Sequence, residues 1–156
     1  MKNLEGRKAA SFTLAGSDGK QHSLEAYKGK TVVLYFYPKD DTPGCTKEAC
    51  GFRDLGASLK KNNAVVLGVS KDSIESHKKF ASKYKLPFTL LSDPKAEVMK
   101  KYGAFGKKMM YGKEVEGTIR STVMIGPNGE VIKHWPAVKK AEAHPEEVVA
   151  FLKEHS

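Results

Sequence analysis

The sequence of 156 residues contains no long apolar segment, and this absence excludes a membrane-spanning helix. No run approaches the about 18 apolar residues that a bilayer span requires, and no apolar segment of signal-peptide length follows the charged start of the chain. We therefore expect a cytoplasmic protein with no membrane partner. Linkers, repeats and low-complexity tracts are also absent, so we expect a single domain over residues 1–156.

Long blocks of one charge are absent too, although the chain is basic. It has 27 Lys and Arg against 18 Asp and Glu, a net charge of +9. The lysines occur in scattered pairs, such as Lys60-Lys61 and Lys139-Lys140, whereas nucleic-acid-binding tails carry runs of about five or six like charges. No nucleic-acid-binding motif is present. We expect a solvated basic surface and no nucleic-acid partner, an expectation that salt-dependent binding to random oligonucleotides would overturn.

Cysteine is scarce, with only Cys45 and Cys50 in the chain. In a reducing compartment such cysteines are more often catalytic or metal-binding than structural. A zinc site needs about four ligands at suitable spacing, and the five histidines form no paired ligand motif. We therefore expect no bound metal and no cofactor. A small metal-binding protein remains the alternative that metal analysis would test.

The apolar residues that are present predict alternating strands and helices. Thr31–Tyr37 and Ala64–Ser70 are continuous β-branched and aromatic or aliphatic runs, which predict strands buried on both faces. The other predicted elements are a hairpin from Phe12 to Leu24, a helix through Ala49, Phe52, Leu55 and Leu59, a helix over Ser73–Lys83, a strand over Pro87–Leu91, a helix opened by Asp93 as N-cap with Pro94 and ended near Gly103, a hairpin of strands Thr118–Ile125 and Glu130–Trp135, and a last helix from His144 through Leu152. This order predicts an α/β fold, a mixed β-sheet with helices on both faces.

Cys45 lies in the most unusual part of the chain, between a buried strand and a helix. Because Pro43-Gly44 ends the loop, we expect Cys45 in the first helical turn, where free backbone N–H groups and the helix dipole favour the thiolate. The thiolate is the nucleophilic form of cysteine. Thr42 can bring its hydroxyl close to the sulfur, while Pro38 and Pro43 stiffen the loop. The sequence predicts a reactive cysteine, with an inert buried thiol as the alternative.

The spacing of the two cysteines makes a geometric demand. On one regular helix, Cys45 and Cys50 have Cα atoms roughly 8–9 Å apart, beyond the reach of about 7 Å that a disulfide allows. Either the pair never bonds or the first turns of the helix unwind, as helix ends can. The Cys-x4-Cys spacing also differs from the Cys-x-x-Cys of a thioredoxin-type reductase, an alternative that insulin reduction without peroxide would test.

Pro38-x-x-x-Thr42-x-x-Cys45 resembles the active-site signature of the peroxiredoxins. The longer run from Phe36 to Asp54, with Met110–Lys113 and Gly117–Thr122, resembles the bacterioferritin comigratory protein class, also called the Q type. The resemblance implies a thioredoxin-like fold and a monomer. It also implies that Cys45 is peroxidatic, that Cys50 is resolving and that Arg120 is a distant catalytic arginine. It further implies an intramolecular disulfide, reduced by thioredoxin or another dithiol protein.

The resemblance leads to a hypothesis about mechanism. The Cys45 thiolate attacks hydrogen peroxide or an organic hydroperoxide and becomes a sulfenic acid. The moving charge needs fixed donors, for which we expect the N–H groups of Gly44 and Cys45, the Thr42 hydroxyl and Arg120. The remaining predicted site residues are Glu48, which would orient Arg120 unless it is simply exposed, and Pro43 and Tyr37, which would line the substrate site. Segments linked to overoxidation sensitivity are not evident, so we expect resistance to overoxidation.

Overall fold

The computed structural model describes residues 3–155 and contains a main β-sheet flanked by helices. Residues 1, 2 and 156 of the predicted domain lie outside the described residues. The elements are β1 (Thr13–Gly16), β2 (Gln21–Ser23), a 3-10 helix (Leu24–Tyr27), β3 (Thr31–Phe36), α1 (Pro43–Asp54), α2 (Gly56–Lys61), β4 (Ala64–Ser70), α3 (Ile74–Lys83), β5 (Thr89–Ser92), α4 (Glu97–Lys101), β6 (Phe105–Met110), β7 (Lys113–Thr118), β8 (Ser121–Ile125), β9 (Val131–Trp135) and α5 (His144–Glu154). None of the described helices is both long and apolar enough to cross a membrane.

The main sheet has seven strands in the order β2-β1-β5-β4-β3-β8-β9. β3 pairs in parallel with β4 and antiparallel with β8, and β4 pairs in parallel with β5. β1 and β2 form the predicted N-terminal hairpin. The predicted mixed sheet is therefore confirmed, and the carboxyl ends of β3, β4 and β5 meet at one edge, which is the usual location of a site in such sheets.

β3 separates two hydrophobic cores, as its uninterrupted apolar run predicts. Val32 and Leu34 pack into one core with Val98 and Met99 of α4, whereas Val33 and Tyr35 pack into the other. The second core also receives side chains from α1, α2, α3 and α5. Helices therefore cover both faces of the sheet, and α1 lies directly against the strand that precedes it in the chain.

The predicted helix through Leu59 is two helices. α1 ends at Asp54, Leu55 leaves the helical conformation (φ −97°, ψ 13°), and α2 begins at Gly56. Glycine has the weakest helix propensity after proline, so the chain breaks most easily beside it. The spacing of the apolar residues predicts that they share one face, and Phe52 and Leu59 do enter the same core. It does not reveal the break between α1 and α2 at Leu55.

The predicted start of α4 at Asp93 is wrong. Asp93 is followed by a turn, closed by a hydrogen bond from the Ala96 N–H to the Asp93 carbonyl (2.9 Å), and the helix begins at Glu97. The Asp93 carboxylate still accepts hydrogen bonds from the N–H groups of Val98 (3.4 Å) and Met99 (2.9 Å). It therefore caps the helix from farther away than an N-cap residue. The predicted end is confirmed, with Gly103 at φ +69° in the left-handed conformation typical of that position.

The predicted strand Thr118–Ile125 is interrupted. Thr118 ends β7, which pairs with β6 in a separate two-stranded sheet, and Ser121 begins β8 in the main sheet. The chain has to leave one sheet and enter the other, so Ile119 and Arg120 belong to neither strand. The β6–β7 hairpin was not predicted, because its lysines and glycines give it no continuous apolar face.

Candidate active site

Cys45 is the third residue of α1 and lies at the carboxyl end of β3. Thr42 occupies the N-cap position in extended conformation (φ −99°, ψ 155°), and Pro43 is the first helical residue. The predicted first-turn position is therefore confirmed. The residue is 1% exposed, so its sulfur has little contact with water, and it lies in the helical turn whose backbone N–H groups have no helical acceptor.

Arg120 brings a positive charge to this sulfur from the link between β7 and β8. Its Nη2 donates to Cys45 Sγ at 3.2 Å, and its Nη1 donates to Glu48 Oε1 at 2.7 Å. The Arg120 carbonyl accepts a hydrogen bond from the Val138 N–H (2.7 Å), which fixes the backbone of the link. The planar guanidinium thus spans a sulfur and a carboxylate on α1, a geometry that a lysine ammonium does not match.

Glu48 follows Cys45 by three residues, which places both side chains on one face of α1. It is fully buried, so the alternative of an exposed glutamate is wrong. Burial raises the pKa of Glu48 to about 7, and this effect outweighs the nearby Arg120 guanidinium, which acts to lower the pKa. Burial also disfavours the charge of Arg120, but Glu48 and Cys45 outweigh it and the pKa of Arg120 is raised. The guanidinium is therefore a permanent cation beside the sulfur.

Gly44 gives Arg120 the space to reach the sulfur. A Cβ at this position would lie 3.2 Å from Arg120 Nη2, closer than side chains normally approach. Beside it opens a cleft of about 700 Å³, which is lined by Gly44, Lys47, Arg120, Glu146 and the segment from Lys139 to Ala143. A small molecule in this cleft would meet the guanidinium and the start of α1, although the sulfur itself is almost completely covered.

The other predicted site residues form the loop between β3 and α1. The Thr42 hydroxyl donates to the Lys39 carbonyl (2.8 Å), and the Tyr37 hydroxyl donates to Asp40 (2.5 Å). Pro38 is half-buried and Pro43 is exposed at the start of α1. The hydroxyls of Thr42 and Tyr37 are thus used within the loop itself, and their contacts with a substrate stay predictions.

Cys50 lies on the same helix as Cys45 and is half-buried. Both cysteines are free thiols, and α1 is continuous from Pro43 to Asp54. The structure is therefore the intact-helix alternative of the two that the spacing allows. α1 also packs tightly on α5, since a Cβ at Gly51 would lie 2.7 Å from Pro145 Cγ. Unwinding α1 would have to disturb this contact.

Sequence reasoning missed a buried polar network behind the loop. Asp40 is buried and His77 fully so, and their side chains lie 2.7 Å apart. With Asp72 they form the one group of described residues that could hold a metal ion. These atoms already have protein partners, because Asp40 accepts from Ser76 and Asp72 accepts from Ser70. A signal existed in the sequence, namely a histidine on the apolar face of the predicted helix Ser73–Lys83.

Comparisons with known proteins show what the chain as a whole is similar to. Residues 6–134 match the family model described as the AhpC/TSA family. The chain is 52% identical over 147 residues to a putative peroxiredoxin bcp of Coxiella burnetii, covering 94% of this chain and 97% of the relative. It is 46% identical over 151 residues to peroxiredoxin Bcp of Bacillus subtilis, covering 97% and 96%.

Solved structures give the same likeness in three dimensions. The bacterioferritin comigratory protein of Xanthomonas campestris, described for its alkyl peroxide reduction activity, superposes with a TM-score of 0.86 at 42% identity over 92% of this chain and 91% of that chain. Peroxidoxin BcpB of Mycobacterium tuberculosis superposes with a TM-score of 0.87 at 31% identity over 99% of both chains. The thioredoxin-like fold of these proteins is thus the fold of this chain.

Proposed function

This chain belongs to the AhpC/TSA family and is a peroxiredoxin, a thiol peroxidase, and on that premise we propose that Cys45 is its peroxidatic residue and Cys50 its resolving residue. The observation that carries the proposal is the 3.2 Å contact between Arg120 Nη2 and Cys45 Sγ at the start of α1. The planar guanidinium at that distance can hold the sulfur and a neighbouring peroxide oxygen at once, and the thiolate is the form of cysteine that attacks peroxides.

In the first step the Cys45 thiolate attacks the terminal oxygen of a hydroperoxide. A sulfur lone pair forms the S–O bond and the O–O bond breaks, so sulfur is oxidised to a sulfenic acid while the peroxide is reduced. The departing alkoxide or hydroxide takes up a proton from solvent. Negative charge moves from sulfur toward oxygen, and Arg120, fixed by Glu48, can follow it without reorganising. The backbone N–H groups of Gly44 and Cys45 and the Thr42 hydroxyl are the other proposed donors.

In the second step Cys50 attacks the sulfenic acid. Its thiolate forms the S–S bond, and the hydroxyl on Cys45 leaves as water after taking up a proton. Because both residues lie on the continuous helix α1, their Cα atoms are too far apart for a disulfide until α1 opens. We therefore propose that α1 unwinds between the two steps. A dithiol reductant then becomes a disulfide itself and returns both cysteines to thiols.

The family implies a peroxide substrate and a thiol reductant. We propose thioredoxin or a similar dithiol protein as the reductant, a cytoplasmic location and a monomeric state. For the oxidant we propose both hydrogen peroxide and organic hydroperoxides. The cleft beside Gly44 and Arg120 supports organic substrates, as does the likeness to the Xanthomonas protein described for alkyl peroxide reduction.

A turnover assay with thioredoxin, thioredoxin reductase and NADPH tests these assignments. Cys45→Ser is expected to consume no peroxide above background. Cys50→Ser is expected to consume about one equivalent and then stop, because the sulfenic acid forms but no disulfide presents itself to thioredoxin. Full turnover by Cys45→Ser would refute the peroxidatic role, and full turnover by Cys50→Ser would refute the resolving role.

A further inference from the structure

The loop between β3 and α1, residues 37–42, is tied to α3 at both ends of that helix. At the start of α3, Asp40 accepts hydrogen bonds from Ser76 (2.8 Å) and pairs with His77 (2.7 Å). At the end of α3, Asp41 accepts from Lys83, the last helical residue, and from Tyr84, which follows it, each at 2.8 Å. The first group is buried and the second is exposed, so the buried group contributes most to holding the loop.

His77 lies between Asp40 and the Leu91 carbonyl, and these two neighbours constrain where its hydrogen atoms point. His77 Nε2 lies 2.9 Å from the Leu91 carbonyl, which only accepts hydrogen bonds, so Nε2 carries a proton. Nδ1 faces Asp40 Oδ2, and a hydrogen bond there requires a second proton between the two atoms, on the ring or on the carboxyl. Tyr37 donates to the other oxygen of Asp40 (2.5 Å). With the proton on either residue the pair has no net charge, so its burial costs less free energy than the burial of an unpaired charge.

The path from this pair to the reactive sulfur is short and consists of backbone. Asp41 follows Asp40 in the left-handed conformation (φ 57°). Thr42 then provides the N-cap, and its carbonyl accepts the first helical hydrogen bond from the Thr46 N–H (2.8 Å). The attachment of Asp40 to α3 therefore helps to set where α1 begins, and with it the position of Cys45 in the first turn.

Arg120 approaches from a different element, the link between β7 and β8. The 3.2 Å contact with Cys45 Sγ therefore forms only when the loop and the link are both held in register. A misplacement of about 1 Å at a reacting atom can cost about a hundredfold in rate. The buried pair is thus in a position to control catalysis without touching the substrate.

We propose that His77 is a positioning residue for the oxidation of Cys45, acting through the hydrogen bond between its Nδ1 and Asp40 and through the loop between β3 and α1. The proposal rests on the proposed function of Cys45. It assigns the role to one nitrogen of the ring: the Nδ1 side holds the loop, whereas the Nε2 side attaches α3 to β5 and serves stability. The two sides can therefore be separated by mutation.

His77→Asn and His77→Gln form a matched pair for this test. The asparagine amide reaches the place of Nδ1 and can donate to Asp40, whereas the glutamine amide reaches the place of Nε2 and can donate to the Leu91 carbonyl. The measurement is the second-order rate constant for oxidation of reduced protein by hydrogen peroxide, from rapid quenching, alkylation and mass spectrometry of the Cys45 peptide. We expect a loss of about tenfold or more in His77→Gln and of less than about threefold in His77→Asn.

Thermal unfolding of both variants measures the loss of stability that a purely structural role of His77 would cause. Equal rate losses in the two variants, or an unchanged rate in His77→Gln, would overturn the proposal. If His77→Gln does not fold, His77→Asn keeps the proposal falsifiable, because a loss of about tenfold or more in that variant would also overturn it. Lys83→Ala breaks only the exposed tie and is expected to leave the rate unchanged. Failure of the proposed function is distinguishable, because wild-type Cys45 would then not be oxidised at all.

Discussion

Replacing Glu48 by glutamine is expected to change how stability depends on pH. In the wild type, burial raises the pKa of Glu48 from an ordinary 4.5 to about 7. Between these values the folded protein keeps a proton on Glu48 that the unfolded chain has released. The resulting stabilisation is fully present below pH 4.5 and is lost as the pH rises through 7. Glutamine cannot ionise, so Glu48→Gln lacks this loss.

The size of the effect follows from the two pKa values. At about 1.4 kcal/mol per pH unit, the gap between 4.5 and about 7 corresponds to about 3 kcal/mol. From pH 4.5 to pH 8 the free energy of unfolding of the wild type should therefore fall by about 3 kcal/mol relative to Glu48→Gln. Arg120 lies 2.7 Å from Glu48 and opposes this effect, and the pKa of about 7 already includes its contribution.

Urea unfolding of both proteins at several pH values, with a reductant present, measures this difference. All other titrating groups are common to the two proteins, so their contributions largely cancel in the comparison. A difference that stays constant with pH would refute the reasoning. A wild type that gains stability relative to Glu48→Gln as the pH rises would show instead that the Arg120 charge dominates and that Glu48 is held as a carboxylate.

Three further substitutions test the geometry of the site. Arg120→Lys is expected to lower kcat/KM for hydrogen peroxide about a hundredfold, because one ammonium cannot reproduce the two-pronged contact; a loss below about threefold would contradict this role. Gly44→Ala places a Cβ 3.2 Å from Arg120 Nη2 and should lower peroxidase activity about tenfold with little change in Tm, whereas unchanged activity would mean that the guanidinium relaxes freely. Gly51→Ala places a Cβ 2.7 Å from Pro145 Cγ and should lower the free energy of unfolding by about 1–3 kcal/mol in urea; an unchanged value would show that α1 and α5 can separate at no cost.

The parts of the fold that could be predicted depend on local pattern. The uninterrupted apolar run of β3 predicts burial on both faces, and Val33 and Leu34 do enter opposite cores. Pro43 and Gly44 place Cys45 in the first turn of α1 because proline is favoured at the start of a helix. Asp93 shows the limit of such signals, since it caps α4 but does so across an intervening turn.

The parts that could not be predicted depend on long-range packing. No spacing reveals that Arg120 leaves the strand and reaches α1, 75 residues earlier in the chain, and only the resemblance to the peroxiredoxins predicted its role beside Cys45. The burial of Glu48 likewise depends on the packing around α1 and is not evident from its neighbours in sequence. The tie between Asp40 and His77 joins a loop to a helix 37 residues away, and the lysine-rich β6–β7 hairpin lacks the apolar alternation that marks a strand.

The most direct test of the account is amide hydrogen exchange of α1 before and after one equivalent of peroxide, in the wild type and in Cys50→Ser. Cys45 is proposed to react within a folded α1, and its bond with Cys50 is proposed to require α1 to open. The hydrogen-bonded amides of α1, residues 46–54, should therefore be protected in both reduced proteins, lose protection in the oxidised wild type and stay protected in oxidised Cys50→Ser. A protected α1 in the disulfide-bonded wild type, or lost protection in oxidised Cys50→Ser, would contradict it.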